Sequence, residues 1–239
     1  NNTAAKAGGG LYVASGKTVA MAHANTCTTE IDAWVNLIAD AGRAMNWPVN
    51  MDELYTTLFQ KALEGEPDCG GMVAFNYFAG EPVTQTPVGR PMLTRLPETD
   101  LTVANLMRAQ LYGAIATLKI GMDMLKREEQ VETDTLLGHG GLFKTPGVGQ
   151  QILADALEVP ISTMETAGEG GPWGMALLAA YMVRKAENES LEAYLTQRVF
   201  KNAKSTTLQP NPAGVEGFKA YMQRYEACLP AQRAAADMV

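Results

Sequence analysis

Residues 136–145 read Leu-Leu-Gly-His-Gly-Gly-Leu-Phe-Lys-Thr: a strand-like lead runs into glycines, and a helix-forming segment follows. Glycine has no Cβ, so the backbone at Gly138, Gly140 and Gly141 can adopt positive φ and approach a flat ring or a phosphate closely. The stretch therefore predicts a strand, a tight glycine turn and a helix in succession. A turn of this kind is a candidate binding site for a nucleotide.

A second glycine turn follows about thirty residues later. Residues 165–174 read Glu-Thr-Ala-Gly-Glu-Gly-Gly-Pro-Trp-Gly, between a predicted strand at 160–164 and an apolar helix that begins at Trp173. The alternative interpretation is a pair of tight strand-to-helix connections that bind no ligand. Two such turns in tandem favour the nucleotide interpretation.

Neither of the familiar phosphate loops fits the first turn. The dinucleotide fingerprint G-x-G-x-x-G requires a third glycine where Phe143 stands, and the P-loop requires a glycine at the same position before Lys144 and Thr145. The remaining possibility is a turn against which a purine or ribose lies, with the amides of the following helix start facing polar ligand atoms. His139 and Lys144 then either contact ribose and phosphate or are solvated turn residues.

Composition excludes several classes of protein. The chain has 239 residues, of which 46% are hydrophobic and 19% charged, so it can bury a substantial core as one large or two small domains. A net charge of −7 without a Lys/Arg cluster argues against nucleic acid or an anionic membrane surface as partner. No apolar run approaches the roughly 20 residues of a membrane span, and residues 1–10 lack signal-peptide order, so we expect a cytoplasmic protein.

The cysteines and the first residues add two expectations. Cys27, Cys69 and Cys228 lie far apart and the chain has only two histidines, so neither a disulfide framework nor a zinc site is expected. Residues 1–10 are small and polar and end in three glycines, which indicates a flexible lead or a scar. We therefore expect the chain to be a fragment of a longer protein.

Hydrophobic periodicity predicts strands that alternate with helices, and hence an α/β layer architecture without internal repeats. The run of residues 80–91 is predicted to be a loop that forms a cleft wall, with Glu81 and Arg90 available to a second domain or to substrate. Trp173 is expected to pack under the glycine turn. The predicted strands are a hairpin of 11–14 with 18–23, then 72–77, 133–137 and 160–164; the predicted helices lie between Thr28 and Pro48, between Asn50 and Gly65, and at 101–128, 149–157, 173–184, 191–200 and 214–227.

Several of these segments resemble motifs of one family, the FGGY carbohydrate kinases. Residues 140–146 and 151–155 resemble its G-G-G/A-x-K-S-P turn and Q-x-L-A-D helix end, and residues 165–179 resemble E-A-G-A-x-G-A-A-L-L-A with a local variation. Residues 106–113 are similar to L-x-R-A-x-x-E-G, with Tyr112 where Glu is common, and residues 76–81 to Y-x-x-G-E-R. Together the motifs resemble the C-terminal domain of the family, in its xylulokinase and ribulokinase branch.

The resemblance implies a fold and an activity. The fold is an RNase-H-like, actin-type ATPase domain over residues 11–239, with a mixed sheet flanked by helices. The activity is transfer of the γ-phosphoryl group of ATP, bound with Mg²⁺, to a hydroxyl of a ketopentose such as xylulose or ribulose, or of a related sugar. By position, Gly140, Gly141 and Leu142 would line the adenine, Thr145 would lie near the base, and Gly168 would support the turn. Gly138, His139 and Lys144 complete the predicted nucleotide site.

Other family features do not occur in the sequence. The D-x-G-T phosphate turn, the G-T-S turn and an aspartate suited to be the catalytic base are all absent, so we expect an N-terminal sugar-binding domain as the partner and no activity from this chain alone. The catalytic base and the choice of sugar stay unknown, and the oligomeric state is open, a homodimer included. The alternatives are a non-catalytic actin-type nucleotide-binding or interaction module, and a dehydrogenase with an irregular dinucleotide site.

Overall fold

The computed structural model describes residues 11–12, 18–19 and 21–238. Strand β1 (Leu11–Tyr12) pairs antiparallel with β2 (Thr18–Val19), which confirms the pairing of the predicted hairpin. Its turn and the predicted lead of residues 1–10 lie outside the described residues.

Two amphipathic helices follow the hairpin, as the periodicity predicts. Helix α1 spans Thr29–Ala44, and α2 spans Met51–Ala62 beyond the break at Pro48. The side chain of Asn50 caps α2, because its Oδ1 accepts hydrogen bonds from the backbone N–H groups of Asp52 and Glu53. Each helix buries one apolar face in the core.

The middle of the chain contains one strand that was not predicted. Strand β3 (Val73–Phe75) pairs antiparallel with β4 (Met92–Thr94), which begins directly after the predicted loop of residues 80–91. Helix α3 (Val103–Glu128) then crosses the molecule, capped by Thr102, whose hydroxyl accepts from Asn105 N. Its middle is buried between α2, β3, α4 and α7, and its bounds agree with the predicted 101–128.

The last part of the chain forms a mixed sheet of order β5-β6-β7 with helices around it. Strands β5 and β6 are parallel, and β7 is antiparallel to β6. Among the helices, α6 continues into a π-helical turn at Leu195–Val199. The elements are β5 (Leu136–Gly138), α4 (Val148–Leu157), β6 (Ile161–Met164), α5 (Gly170–Arg184), α6 (Leu191–Tyr194), β7 (Ser205–Leu208) and α7 (Pro212–Ala236).

Two predictions need correction in this region. Strand β7 was not predicted, because its residues are hydroxyl-bearing rather than apolar. Helix α7 is longer than the predicted 214–227: it begins at Pro212 after an Asn211 cap and runs through Pro230 to Ala236. The α/β class with a mixed sheet is confirmed.

A cluster of aromatic side chains joins α7 to the rest of the core. The Tyr225 ring stacks on Phe75 at a centroid distance of 4.4 Å, and its hydroxyl lies 2.7 Å from that of Tyr77. The Tyr221 hydroxyl donates to the carbonyl of Ala74 at 3.2 Å. Since these buried hydroxyls have partners, the aromatic area stabilises the fold without an unsatisfied polar group.

Candidate functional site

The two glycine turns lie side by side. Because β5 and β6 are parallel neighbours, their carboxyl ends meet at one edge of the sheet, and a turn follows each of them there. A backbone hydrogen bond joins the turns, from Gly140 N to the carbonyl of Ala167 at 2.7 Å. The tandem turns of the sequence therefore form one continuous surface.

The backbone at the tip of the first turn is open. Gly140 has a φ of +106°, which L-residues rarely adopt, and Gly141 begins the 3₁₀ turn Gly141–Phe143. A Cβ built on either glycine would meet no atom within 4 Å. The space on the Cβ side of both glycines is therefore free of protein atoms.

Gly138 is covered by the protein itself. A Cβ at this position would lie 2.5 Å from Cζ and 2.9 Å from Cδ1 of Phe143. The flat ring that rests on the Gly138 backbone is therefore the phenyl ring of Phe143, five residues further along the chain. Gly138 is buried in β5 and has an ordinary strand-like role in the sheet.

A cavity of about 700 Å³ opens beside the turns. This volume lies within the range of roughly 300–1,000 Å³ typical of small-molecule sites. Among the predicted site residues, Lys144, Thr145 and Gly168 line the cavity, whereas the others lie on the adjoining turn. The lining comes from the start of α4, the ends of β6 and the second turn, and the start of β7: residues Phe143–Gly147, Gln150, Thr163–Glu165, Ala167, Gly168 and Lys204–Thr206.

The other predicted residues point in different directions. Leu142 packs towards α4, because a Cβ on Gly149 would lie 2.7 Å from its Cγ. His139 is exposed at the tip of the turn. Lys144 is exposed as well, and its aliphatic part lies over Gly168, where a Cβ would be 3.3 Å from Cγ.

Gln150 lines the cavity, although no motif or spacing in the sequence marks it as a site residue. Its Nε2 donates to the carbonyls of Ile161 at 2.7 Å and Thr206 at 2.9 Å. Its Oε1 accepts from the hydroxyls of Thr163 at 3.2 Å and Thr206 at 3.4 Å. One side chain of α4, only 3% exposed, thus ties the end of β6 to the start of β7 and fixes the cavity wall.

The acidic residue of the Q-x-L-A-D segment has a structural role. Asp155 is buried and accepts hydrogen bonds from Gln151 Nε2 and from Asn211 N, both at 2.7 Å. Burial raises the pKa of this carboxyl above its ordinary value, against the opposing effect of the two donors. Asp155 therefore holds the start of α7 on α4 and does not reach the cavity.

The start of α4 suits an anionic group. Its N-cap, Gly147, has a φ of +80° and provides no side-chain cap. The N–H of Val148 donates to the carbonyl of Thr145 at 3.4 Å, and the positive end of the helix dipole faces the cavity wall. Two lysines, Lys144 and Lys204, stand at the cavity wall, and Glu165 is the acidic residue there. Lys204 was not among the predicted site residues, because strand β7, which follows it, was not predicted.

One predicted role outside the turns is wrong. Glu81 is not available to a second domain: its carboxylate is fully buried and accepts from the backbone N–H groups of Asn25 and Thr26 at 2.8 and 2.9 Å. The carboxylate holds the segment before α1 against the loop. Trp173, which was predicted to pack under the glycine turn, is 39% exposed.

Trp173 belongs to a larger exposed apolar surface on α5. This helix carries few polar side chains, and its large apolar residues point outwards: Trp173, Met175, Leu178, Met182 and Val183 are 39, 69, 44, 77 and 85% exposed. Several large apolar side chains exposed on one helix are typical of a contact with another protein surface. The α5 surface, defined by these five residues, is therefore a candidate domain contact.

Within residues 21–238, no helix is both long enough and apolar enough to cross a membrane. The same residues contain no cluster of three or more His, Cys, Asp or Glu side chains arranged to hold a metal ion.

Comparisons with known proteins show similarity to sugar kinases in sequence and in fold. A curated relative, xylulose kinase of Haemophilus influenzae, is 23% identical over 207 residues, which are 84% of this chain and 40% of that protein. The crystal structure of xylulose kinase from Rhodospirillum rubrum is similar with a TM-score of 0.58 and 19% identity, over 84% of this chain and 38% of that one. Plasmodium falciparum glycerol kinase, solved with ADP, is similar with a TM-score of 0.54 and 16% identity, over 74% and 33%.

These comparisons confirm the expected actin-type fold. The chain spans about 40% of the length of the curated relative it matches. The model of the FGGY family of carbohydrate kinases, C-terminal domain, matches residues 7–183, which is well over half of the chain. The chain therefore belongs to the FGGY family of carbohydrate kinases, within that family's C-terminal domain.

Proposed function

We propose that residues 11–239 are the ATP-binding domain of a sugar kinase that transfers the γ-phosphoryl group of ATP to a hydroxyl of a ketopentose, such as xylulose or ribulose, or of a related sugar. The observation that carries the proposal is the joined pair of glycine turns, with an open backbone at Gly140 and Gly141 beside a cavity of about 700 Å³. The names of the related kinases support the choice of sugar.

The residues of the site fit a nucleotide. The open peptide groups of Gly140 and Gly141 would hold the purine, and the Thr145 hydroxyl at the cavity wall would bond to a polar edge of it. Lys144 and the amides at the start of α4 offer positive charge to phosphate oxygens. When bound, ATP with Mg²⁺ supplies the phosphoryl group; the part of this chain is to bind and orient it.

The remaining parts of the enzyme would come from an N-terminal sugar-binding domain. The relatives are more than twice as long as this chain, and the α5 surface provides an apolar area for a second domain to cover. That domain would supply the sugar site and the base that removes the proton of the attacking hydroxyl. Closure of the two domains would exclude water from the transferred group and so limit hydrolysis of ATP.

Titration of the chain with ADP by calorimetry tests the nucleotide site. We expect weak, saturable binding of one ADP, and preference for ADP over NADH, which would exclude the dehydrogenase alternative. Absence of heat or displacement at millimolar ADP would contradict the proposal and favour an interaction module without a nucleotide.

A second experiment tests the division of labour. With ATP, Mg²⁺ and xylulose or ribulose, we expect no sugar phosphate from this chain and steady formation of it from the full-length protein. Robust phosphorylation by the isolated chain would contradict the assignment of the sugar site and base to another domain.

A further inference from the structure

Phe143 has a fixed place at the cavity that no motif explains. The family turn G-G-G/A-x-K-S-P leaves this position open, and in this chain it is aromatic. The ring lies on Gly138, where a Cβ would come within 2.9 Å of Cδ1 and 2.5 Å of Cζ. Only glycine at position 138 leaves room for the ring in this orientation, so the two residues form one unit.

The ring is only half-buried. It packs against the hydrophobic core on one side and borders the cavity with the rest of its surface. The other walls combine polar groups, which are the hydroxyls of threonine and serine, the amide of Gln150, Glu165 and two lysines, with the apolar side chains of Pro146, Met164 and Ala167. One aromatic ring in a cavity that has both apolar walls and two lysines suits a ligand with one flat, heteroaromatic part and one anionic part.

We propose that Phe143, seated on Gly138, is the stacking platform for the nucleobase and sets a preference of the site for purine over pyrimidine nucleotides. The inference rests on the proposed function and deepens it. A purine offers a larger π-surface than a pyrimidine, so it gains more from stacking on a phenyl ring that is already held in place. Because the ring is seated before the ligand arrives, little side-chain freedom is lost on binding.

The test compares ADP with UDP on the wild-type chain and on Phe143→Leu. Leucine keeps an apolar side chain on Gly138 and removes the π-surface. The wild-type chain should bind ADP more tightly than UDP, and Phe143→Leu should raise the Kd for ADP about 5- to 100-fold, the range measured for base stacking on aromatic side chains. The ratio of the two dissociation constants should fall towards one.

The ratio separates stacking from damage to the fold, because a distorted site weakens both nucleotides alike. An unchanged ratio in Phe143→Leu, or equal affinity of the wild-type chain for ADP and UDP, overturns the stacking role and leaves the proposed function standing. A wild-type chain that binds neither nucleotide overturns the proposed function and this assignment with it.

Gly138→Ala provides an independent arm. The added methyl group would overlap the Phe143 ring and forces it into another position, while the aromatic side chain itself is retained. We expect weaker ADP binding and a lower preference over UDP, as in Phe143→Leu. If Gly138→Ala kept the wild-type affinity for ADP and the wild-type preference for ADP over UDP, packing of Phe143 on Gly138 would not be what positions the base.

Discussion

Alanine at Gly141 separates nucleotide binding from folding more cleanly than any other change in the turn. Gly141 has no positive φ, and a Cβ there meets no protein atom within 4 Å. The substitution therefore introduces neither strain nor a clash, and we expect the free energy of unfolding to change by less than about 0.5 kcal/mol, as for other surface positions. The methyl group stands, however, where we propose that the purine approaches the backbone.

The expected loss of binding follows from crowding. One extra methyl group in a closely packed contact costs typically about 1–3 kcal/mol, which corresponds to a Kd for ADP about 5- to 100-fold higher. Gly140→Ala is the matched contrast. With φ at +106° it places an L-residue in a region that costs about 1–3 kcal/mol, so stability falls together with binding.

Calorimetric titration with ADP and urea unfolding, performed on both variants and on the wild-type chain, check these expectations. We expect Gly141→Ala to unfold at the wild-type urea concentration but to bind ADP poorly, and Gly140→Ala to be impaired in both. Wild-type affinity for ADP in Gly141→Ala would refute the claim that open backbone at this turn holds the nucleotide.

Three further changes test the surroundings of the site. Gln150→Ala removes the donor to two backbone carbonyls in a buried place, and should lower the free energy of unfolding by about 2–4 kcal/mol in urea; an unchanged value would contradict its bridging role. Burial raises the pKa of Asp155 in the folded chain. Between the unfolded pKa of about 3.9 and this raised pKa, the folded chain binds more protons than the unfolded chain. The contribution of Asp155 to the free energy of unfolding therefore falls as pH rises through that window. Urea unfolding of wild type minus Asp155→Asn across that pH range should show this fall, and a flat difference would count against it. Met182→Lys on the α5 surface should change unfolding of the isolated chain by less than about 0.5 kcal/mol yet lower the sugar kinase activity of the full-length protein, whereas full activity would argue against domain contact at α5.

Elements with strong local signals could be predicted from the sequence. Helix α1 has an apolar period bracketed by Thr28 and Pro48, and α2 has the Asn50 cap, so both were found close to their observed bounds. The strand, turn and helix around Gly140 were found for the same reason. Local signals of this kind act over a few residues and do not depend on the rest of the fold.

Features that depend on distant partners could not be predicted. Strand β7 is polar, and it is held by contacts across the sheet, such as the 2.7 Å hydrogen bond between the hydroxyls of Ser162 and Thr207. The cavity floor likewise depends on Gln150, whose partners lie up to 56 residues away. Glu81 was expected to be exposed because carboxylates usually are, but backbone N–H groups of the segment before α1 reach it inside the protein.

The candidate site was predicted in part. The glycine runs identified the turns, and the structure shows that a hydrogen bond joins them. The contact between the Phe143 ring and Gly138 could not be predicted, because the sequence shows only that Phe143 does not match the two known phosphate motifs. Its orientation follows from how the 3₁₀ turn Gly141–Phe143 folds back on β5, which no spacing rule specifies.

A crystal structure of the chain grown with ADP tests the central claim most directly. The account predicts adenine in contact with the peptide groups of Gly140 and Gly141, with the Thr145 hydroxyl within hydrogen-bonding distance of the nucleotide. Density for adenine at any other place on the chain, with the paired turns left bare, would contradict it.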